Sequence, residues 1–184
     1  MTKPYAHVID NFLPQTLFED MQNLLMGPEF LWHCSDQVVP DKDNDPMNYY
    51  FMHRVYLSEY FEQGPKVTES YYNMIRPILY FIDDRYNFVV DHLYSISTNL
   101  FLNQGRTPQH EMHADMDVPH WTGLYYINTC QGPTIFEGFE VECVANRFIL
   151  FDGMLKHRSN LPLDTVKRVN INFNMADRKS TRLN

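Results

Sequence analysis

Residues 110–128, HEMHADMDVPHWTGLYYIN, hold three histidines and two aspartates in their first eleven positions and then turn apolar and aromatic. His113 and Asp115 stand two apart. On an extended strand the side chains of i and i+2 share a face, so this pair would present an imidazole and a carboxylate to one point, as a divalent metal requires. A bare H-x-D arises readily by chance, so the reading depends on what completes it. His157 follows just beyond a strand pattern ending Phe151-Asp152-Gly153 and can fold back as a third ligand. Two histidines and one carboxylate on one face of a metal leave three positions open to other ligands. Arg168 comes 11 positions later on a strand with a polar face. Its planar fork suits a fixed, bidentate grip on a carboxylate. His110, Asp117 and His120 are further candidates, read as orienting or solvated groups rather than ligands.

The elements that must position these residues can be read in chain order. The 184 residues are enough for one domain, 44% of them apolar and 15% aromatic, with 12 Tyr and 13 Phe. That composition suits a β-rich chain with a substantial core. Residues 5–9 predict a short strand. Pro14 opens a helix in which Leu17, Phe18, Met21, Leu24 and Leu25 keep helical spacing and Gly27-Pro28 is the stop. Residues 35–48, polar and acidic, predict a long loop, and a loop of that length is a candidate lid over the site. Residues 49–57 read as a strand, and 67–82 as a helix that Pro77 must kink or divide. From residue 91 the pattern changes to short strands: 92–103, 122–128, 133–136, 139–144, 147–151 and 167–175. In the last, Arg168, Asn170, Asn172 and Asn174 alternate strictly with Val169, Ile171, Phe173 and Met175. Three asparagines are poor strand formers, so a polar barrel interior is expected on that face. The chain therefore divides as residues 1–90, helical and strand support with the lid; 91–176, the β core; and 177–184, a tail without periodicity.

The formal charge of −8 and pI near 5.4 speak against non-specific binding to nucleic acid or to an anionic membrane. No apolar run reaches the length of a membrane span, and no signal-peptide pattern opens the chain. Cys34, Cys130 and Cys143 match neither a disulfide framework nor a zinc knuckle. Reduced thiols, and hence a cytoplasmic setting (the host's, for a viral protein), are the expectation.

The phrases STNLFLN, HAD at 113–115, GLYYIN at 123–128, NRFILFDGMLKH at 146–157 and RVNINF at 168–173 stand in a particular order. In that order and at those spacings the chain resembles the 2-oxoglutarate- and Fe(II)-dependent oxygenases, in their prolyl 4-hydroxylase-like branch. The opening VIDNFLP at 8–14 resembles that branch too, and the small catalytic half is similar to phage-type members. The resemblance covers over half the chain. It implies a mainly β fold with N-terminal helices around a double-stranded β-helix, a cupin-like jelly-roll with the metal in its mouth. It implies Fe(II) on His113, Asp115 and His157, and the distal carboxylate of 2-oxoglutarate on Arg168 and Tyr126. Dioxygen would be the oxidant, with ascorbate as a candidate reductant. The substrate would be a small molecule or peptide, with peptidyl proline, free proline or another amino-acid side chain all open, as is the oligomeric state.

Two departures qualify the resemblance. Many relatives have a tyrosine on the strand before the H-x-D, where this chain has Phe101, so one cosubstrate contact is missing or replaced. The nucleic-acid dealkylases show R-x5-R on the last strand, where this chain has Asn174 in the second place. Aromatic residues Tyr49, Tyr50, Phe51 and Trp121 are candidates for a substrate groove or for the core. Two other readings stay open at this level: a cupin-like metalloenzyme that uses no 2-oxoglutarate, and a non-catalytic jelly-roll binding module.

Overall fold

The structure, a computed structural model, describes residues 6–36, 45, 47–61, 66–106 and 111–178. Strand β1 (His7–Ile9) leads through Pro14 into helix α1 (Gln15–Met26), which ends at Gly27. Proline costs nothing just before the first turn, where the N–H would be unpaired anyway. Strands β2 (His33–Ser35), β3 (Tyr50–Leu57) and β4 (Lys66–Val67) follow. The expected helix over 67–82 is two helices, α2 (Glu69–Ile75) and α3 (Pro77–Tyr86), joined at Arg76. The missing N–H and the ring of Pro77 explain the division. Val67 falls outside both helices and pairs with Tyr56.

Seven strands complete the chain: β5 (Val90–Leu102), β6 (Trp121–Tyr126), β7 (Cys130–Phe136), β8 (Phe139–Cys143), β9 (Arg147–Asp152), β10 (His157–Ser159) and β11 (Lys167–Asp177). They form two antiparallel sheets. The larger runs β1-β9-β6-β11-β5-β3-β2, with β4 on β3; the smaller is β10-β7-β8. This is the jelly-roll that the sequence predicts, and β1, β2 and β3 from the first ninety residues extend its large sheet.

Period-two alternation gives the large sheet two different faces. Outward, Ile96, Tyr125, Phe148, Val169, Ile171 and Phe173 pack beneath Phe18, Met21 and Leu25 of α1 and Ile78 and Ile82 of α3. Inward, Leu124, Tyr126, Ile149 and Phe151 meet Phe136, Val141 and Cys143 of the small sheet. Toward β11, β5 and β3 the inward face becomes polar. There Asn170 and Asn174 are buried and bonded to neighbours: Asn99 Nδ2 donates to Asn170 Oδ1 at 3.1 Å, and Thr122 Oγ1 to Asn174 Oδ1 at 3.0 Å. The polar interior expected from the last strand is thus present. All three cysteines are free thiols, with Cys130 and Cys143 opposed across β7 and β8. Among the described residues no helix is long and apolar enough to cross a membrane.

The expected lid over 35–48 lies largely outside the described residues, as do His110 and positions 179–184 of the tail. Asp45 and Met47, at the far end of that loop, are tied to the segment after β5. Arg106 Nη2 lies 2.6 Å from Asp45 Oδ2, and Gln104 Nε2 donates to the Met47 carbonyl at 2.8 Å.

Candidate active site

His113 and Asp115 share a point in space, but a regular strand does not hold them there. Residues 111–120 run without ladder pairing apart from one isolated bridge, His113 to His157. Its two backbone hydrogen bonds, 3.0 and 2.9 Å, clamp the first histidine to the start of β10. This corrects the expected extended strand: the i, i+2 geometry is supplied by a tertiary contact with the third member of the set.

The result is a compact cluster. One ligating atom from each of His113, Asp115 and His157 lies within 4.8 Å of the others, the only such group of three among the described residues. Asp115 Oδ1 is 3.8 Å from His113 Nε2 and 3.7 Å from His157 Nε2. Each imidazole directs its Nδ1 at a backbone carbonyl, that of Glu111 for His113 (3.3 Å) and that of Leu155 for His157 (3.1 Å). With Nδ1–H donating there, the Nε2 lone pairs are left facing the carboxylate, which is the tautomer a metal ligand needs. Asp115 is oriented in turn by Asn172 of β11, whose Nδ2 donates to Oδ2 at 2.8 Å.

Electrostatics favour an ionised Asp115 and a neutral His157. Burial disfavours the Asp115 carboxylate, but His157, the Asn172 hydrogen bond, His113 and His120 outweigh it, and its pKa is held below the ordinary carboxylate value. Burial pushes the His157 pKa down, against the pull of Asp115, and so favours the neutral imidazole. His120 is not in the cluster. Its Nδ1 bonds the Val118 carbonyl at 2.7 Å, and its ring lies against Gly153, where an added Cβ would collide with the imidazole. Asp117 is exposed and also outside the cluster.

Behind the cluster lies Arg168, fully buried. Its Nε donates to the Gly132 carbonyl at 2.7 Å, Nη1 to Ser159 Oγ and Nη2 to Thr134 Oγ1, both at 3.0 Å. Phe101 and Tyr126 pack on the guanidinium, with ring centroids at 5.4 and 5.5 Å. Among the described residues no carboxylate lies within ion-pair distance of it. The Cys143 thiol also lies against it and is held below its ordinary pKa first by its hydrogen bond with Cys130 and in part by that charge. A buried cation with no carboxylate partner is costly, and an anionic ligand would offset that cost. Tyr126 adds a buried hydroxyl 2.7 Å from Thr134 Oγ1, and burial raises its pKa to about 12, so it stays a donor. These groups suit a carboxylate.

A cleft of about 250 Å³ opens over the cluster, reaching from His157 across Asn172 and Ser97 to Tyr50 and Arg54. Tyr50, a candidate for the groove, does line the cleft; Met52 and Arg54 of β3 were not legible as site residues, and Thr134 and Ser159 were not either. The available signal was the parity of β3, whose even positions face the same way. Tyr50 is stacked on Phe101 at 5.5 Å and brings a phenol to the cleft where Phe101 has none. Phe51 and Trp121 pack on the core instead, Trp121 edge-on to Phe88.

No family model matches the sequence, and no curated protein does. Solved structures do match. An oxidoreductase of the 2OG-Fe(II) oxygenase family from Burkholderia pseudomallei has a TM-score of 0.67 at 9% identity, covering 93% of this chain and 84% of that one. A non-haem α-ketoglutarate-dependent epimerase from nogalamycin biosynthesis has a TM-score of 0.60 at 11% identity, covering 95% and 78%. A prolyl hydroxylase from Trichoplax adhaerens, in complex with a hypoxia inducible factor peptide fragment, has a TM-score of 0.58 at 16% identity, covering 98% and 87%. The fold is that of the 2-oxoglutarate and Fe(II) oxygenases, and the chain carries a candidate His-Asp-His metal site within it.

Proposed function

We propose that the protein is a 2-oxoglutarate- and Fe(II)-dependent dioxygenase that hydroxylates a small molecule or an amino-acid side chain. The observation that carries the reading is one juxtaposition: three converging ligand atoms of His113, Asp115 and His157 beside the buried, carboxylate-free Arg168. His113, Asp115 and His157 would hold Fe(II), and Arg168, with Tyr126 and Thr134, would hold the distal carboxylate of 2-oxoglutarate. Bound together, the iron and the keto acid supply the oxidising chemistry: one dioxygen and one 2-oxoglutarate yield succinate, carbon dioxide and a hydroxylated substrate.

The chain's own residues do the rest. The Nδ1 contacts to Glu111 and Leu155 fix both imidazole planes, and Asn172 fixes the carboxylate. Phe136 and Phe151 pack against the His157 ring, with centroids at 5.8 and 5.0 Å, and keep water from that side. The cleft lies at or below the range of about 300–1,000 Å³ usual for drug-sized ligands, so it suits one small substrate or one inserted side chain. Prolyl hydroxylation is one such reaction, and the peptide bound to the Trichoplax neighbour shows the fold accepting a peptide.

The test is anaerobic titration with Fe(II) and 2-oxoglutarate, followed by exposure to oxygen with ascorbate present. The reading expects a visible metal-to-ligand absorption band that needs both components, and succinate release on oxygenation. Metal binding without the band would favour a cupin-like metalloenzyme. No metal binding would favour a non-catalytic module.

A further inference from the structure

The inward face of the large sheet carries a second arginine, at the mouth of the cleft rather than beneath it. Arg54 on β3 lies opposite Ser97 on β5, Ser97 opposite Asn172 on β11, and Asn172 opposite Leu124 on β6. These four residues form one row across the sheet, and directly paired residues point to the same face. Asn172 is the residue whose amide touches Asp115. Two strand spacings, about 10 Å, therefore separate the backbone of Arg54 from that of the residue orienting the metal cluster. The neighbours of Arg54 confirm its direction. His53 points the other way, to the Leu31 carbonyl and the Thr68 hydroxyl, and Val55 is buried in the helix-facing core.

Arg54 acts on Tyr50 through its charge alone. Among the described residues no hydrogen bond or ion pair engages its guanidinium, whereas Arg106, Arg147 and Arg178 each lie within 4.0 Å of a carboxylate. Among the described residues it is the only arginine or lysine lining the cleft, in a chain of net charge −8. Arg168, below the cleft floor, is engaged by Gly132, Thr134 and Ser159 and is reserved for the keto acid in the reading above. The wall between the two arginines is neutral and polar, made of Ser97, Asn99, Asn170 and Asn172. Arg54 is exposed at the cleft wall, where its fork is placed to take a carboxylate bidentately.

We propose that Arg54 is a specificity residue that binds a carboxylate of the primary substrate, so that the substrate class is an acid: a free amino acid or a peptide carrying an acidic side chain. This rests on the oxygenase reading. The carboxylate is held at the β3 side of the cleft and the carbon to be hydroxylated faces His113, Asp115 and His157. Tyr50 stands in the same strand at the cleft wall, within the field of Arg54.

The experiment uses the full chain loaded with Mn(II) and 2-oxoglutarate without oxygen, and reads paramagnetic broadening of proton NMR lines. Two arms distinguish the sources of the carboxylate. One compares a pool of free amino acids with their primary amides. The other compares Asp and Glu, blocked at both ends, with blocked Asn and Gln. The expected result is broadening of members of one acid pool, at least about tenfold weaker apparent binding for the matching amides, and loss of that preference in Arg54→Met. Arg54→Lys should restore it in part, lacking the fork. Equal broadening of acids and amides, no broadening in either arm, or a preference that survives in Arg54→Met would overturn the proposal. Uptake of Mn(II) and 2-oxoglutarate is measured first in the same samples. If the wild-type protein binds neither, the oxygenase reading itself fails; if it binds both and the acids show no preference, only the role of Arg54 fails.

Discussion

At the scale of single residues, the chemistry turns on how each charged group is partnered. Arg168 donates to three neutral oxygens and faces no carboxylate among the described residues. Removing one partner of a buried charged pair costs about 2–5 kcal/mol. Arg168→Ala should therefore weaken 2-oxoglutarate binding by roughly 30-fold or more, at about 1.4 kcal/mol per factor of ten. The substitution also strips the Gly132 carbonyl, Thr134 and Ser159 of a donor, so the apo protein should lose stability as well. Arg168→Lys keeps the charge without the planar fork and should recover only part of the affinity. Tyr126→Phe removes one hydroxyl and should cost less, about 1.5–3 kcal/mol. Mn(II) affinity should stay unchanged in all three. The measurement is the anaerobic dissociation constant of 2-oxoglutarate at saturating Mn(II), and an unchanged constant in Arg168→Ala would remove the keto-acid anchor from the reading.

At the scale of elements, the N-terminal segment is fastened to the barrel by Asn146, at the turn before β9. Its backbone sits at φ +59°, a left-handed conformation that asparagine tolerates better than most residues. Its Oδ1 accepts from the Leu13 N–H at 2.9 Å and the Tyr125 hydroxyl at 2.8 Å, while Nδ2 donates to the Leu13 carbonyl at 2.9 Å. Asn146→Ala leaves those groups buried and unpaired and adds backbone strain, so it should destabilise by about 3 kcal/mol or more in urea unfolding. A second tie, the bidentate Asp10–Arg147 contact at 2.6 and 3.0 Å, is pH-dependent. The Arg147 hydrogen bond lowers the Asp10 pKa below 3.8 against the effect of burial, so the folded state favours the ionised form. Its contribution is present above the unfolded value and fades as pH falls through the lower folded value. Asp10 is 53% exposed, which limits the effect to about 1 kcal/mol or less. Asp10→Asn should lower the urea midpoint slightly at pH 7, with the difference closing below pH 3.8. These ties mark the limit of what the sequence discloses about the elements. Period-two alternation made β11 legible with its faces, because burial on one side imposes it, while β5 and β6 were legible as strands. The fastening role of Asn146 was not legible, because its partners are 133 and 21 positions away. Strands β2 and β4 are too short to show a period, and Val67 looked helical because its strand pairing is a long-range event. The H-x-D pair was legible as chemistry but not as geometry, since its rigidity comes from the bridge to His157 rather than from a strand.

At the scale of the whole molecule, two sheets meet as a clamp whose inner polar face is a poor solution for stability alone. Buried asparagines, a buried arginine without a carboxylate partner and a buried aspartate all cost folding energy, and bound ligands would return part of it. This gives an ordered expectation for thermal unfolding. Mn(II) alone should raise Tm, because it neutralises Asp115 and occupies both Nε2 lone pairs. 2-Oxoglutarate alone should raise it little, because half of its grip would come from the metal. Together they should raise it further than the sum of the separate shifts. A ligand at 100 times its Kd stabilises the folded state by about 2.7 kcal/mol, and a chain of 150–250 residues gains about 2–4 °C per kcal/mol, so a saturated pair should add several degrees beyond metal alone. His157→Ala should abolish both shifts, because the cluster loses a ligand even though the backbone clamp on His113 is kept. Arg168→Ala should keep the metal shift and lose the cosubstrate increment. Retention of the full metal shift in His157→Ala would rule out the three-ligand cluster. A cosubstrate increment that does not depend on metal would place the keto acid elsewhere on the molecule.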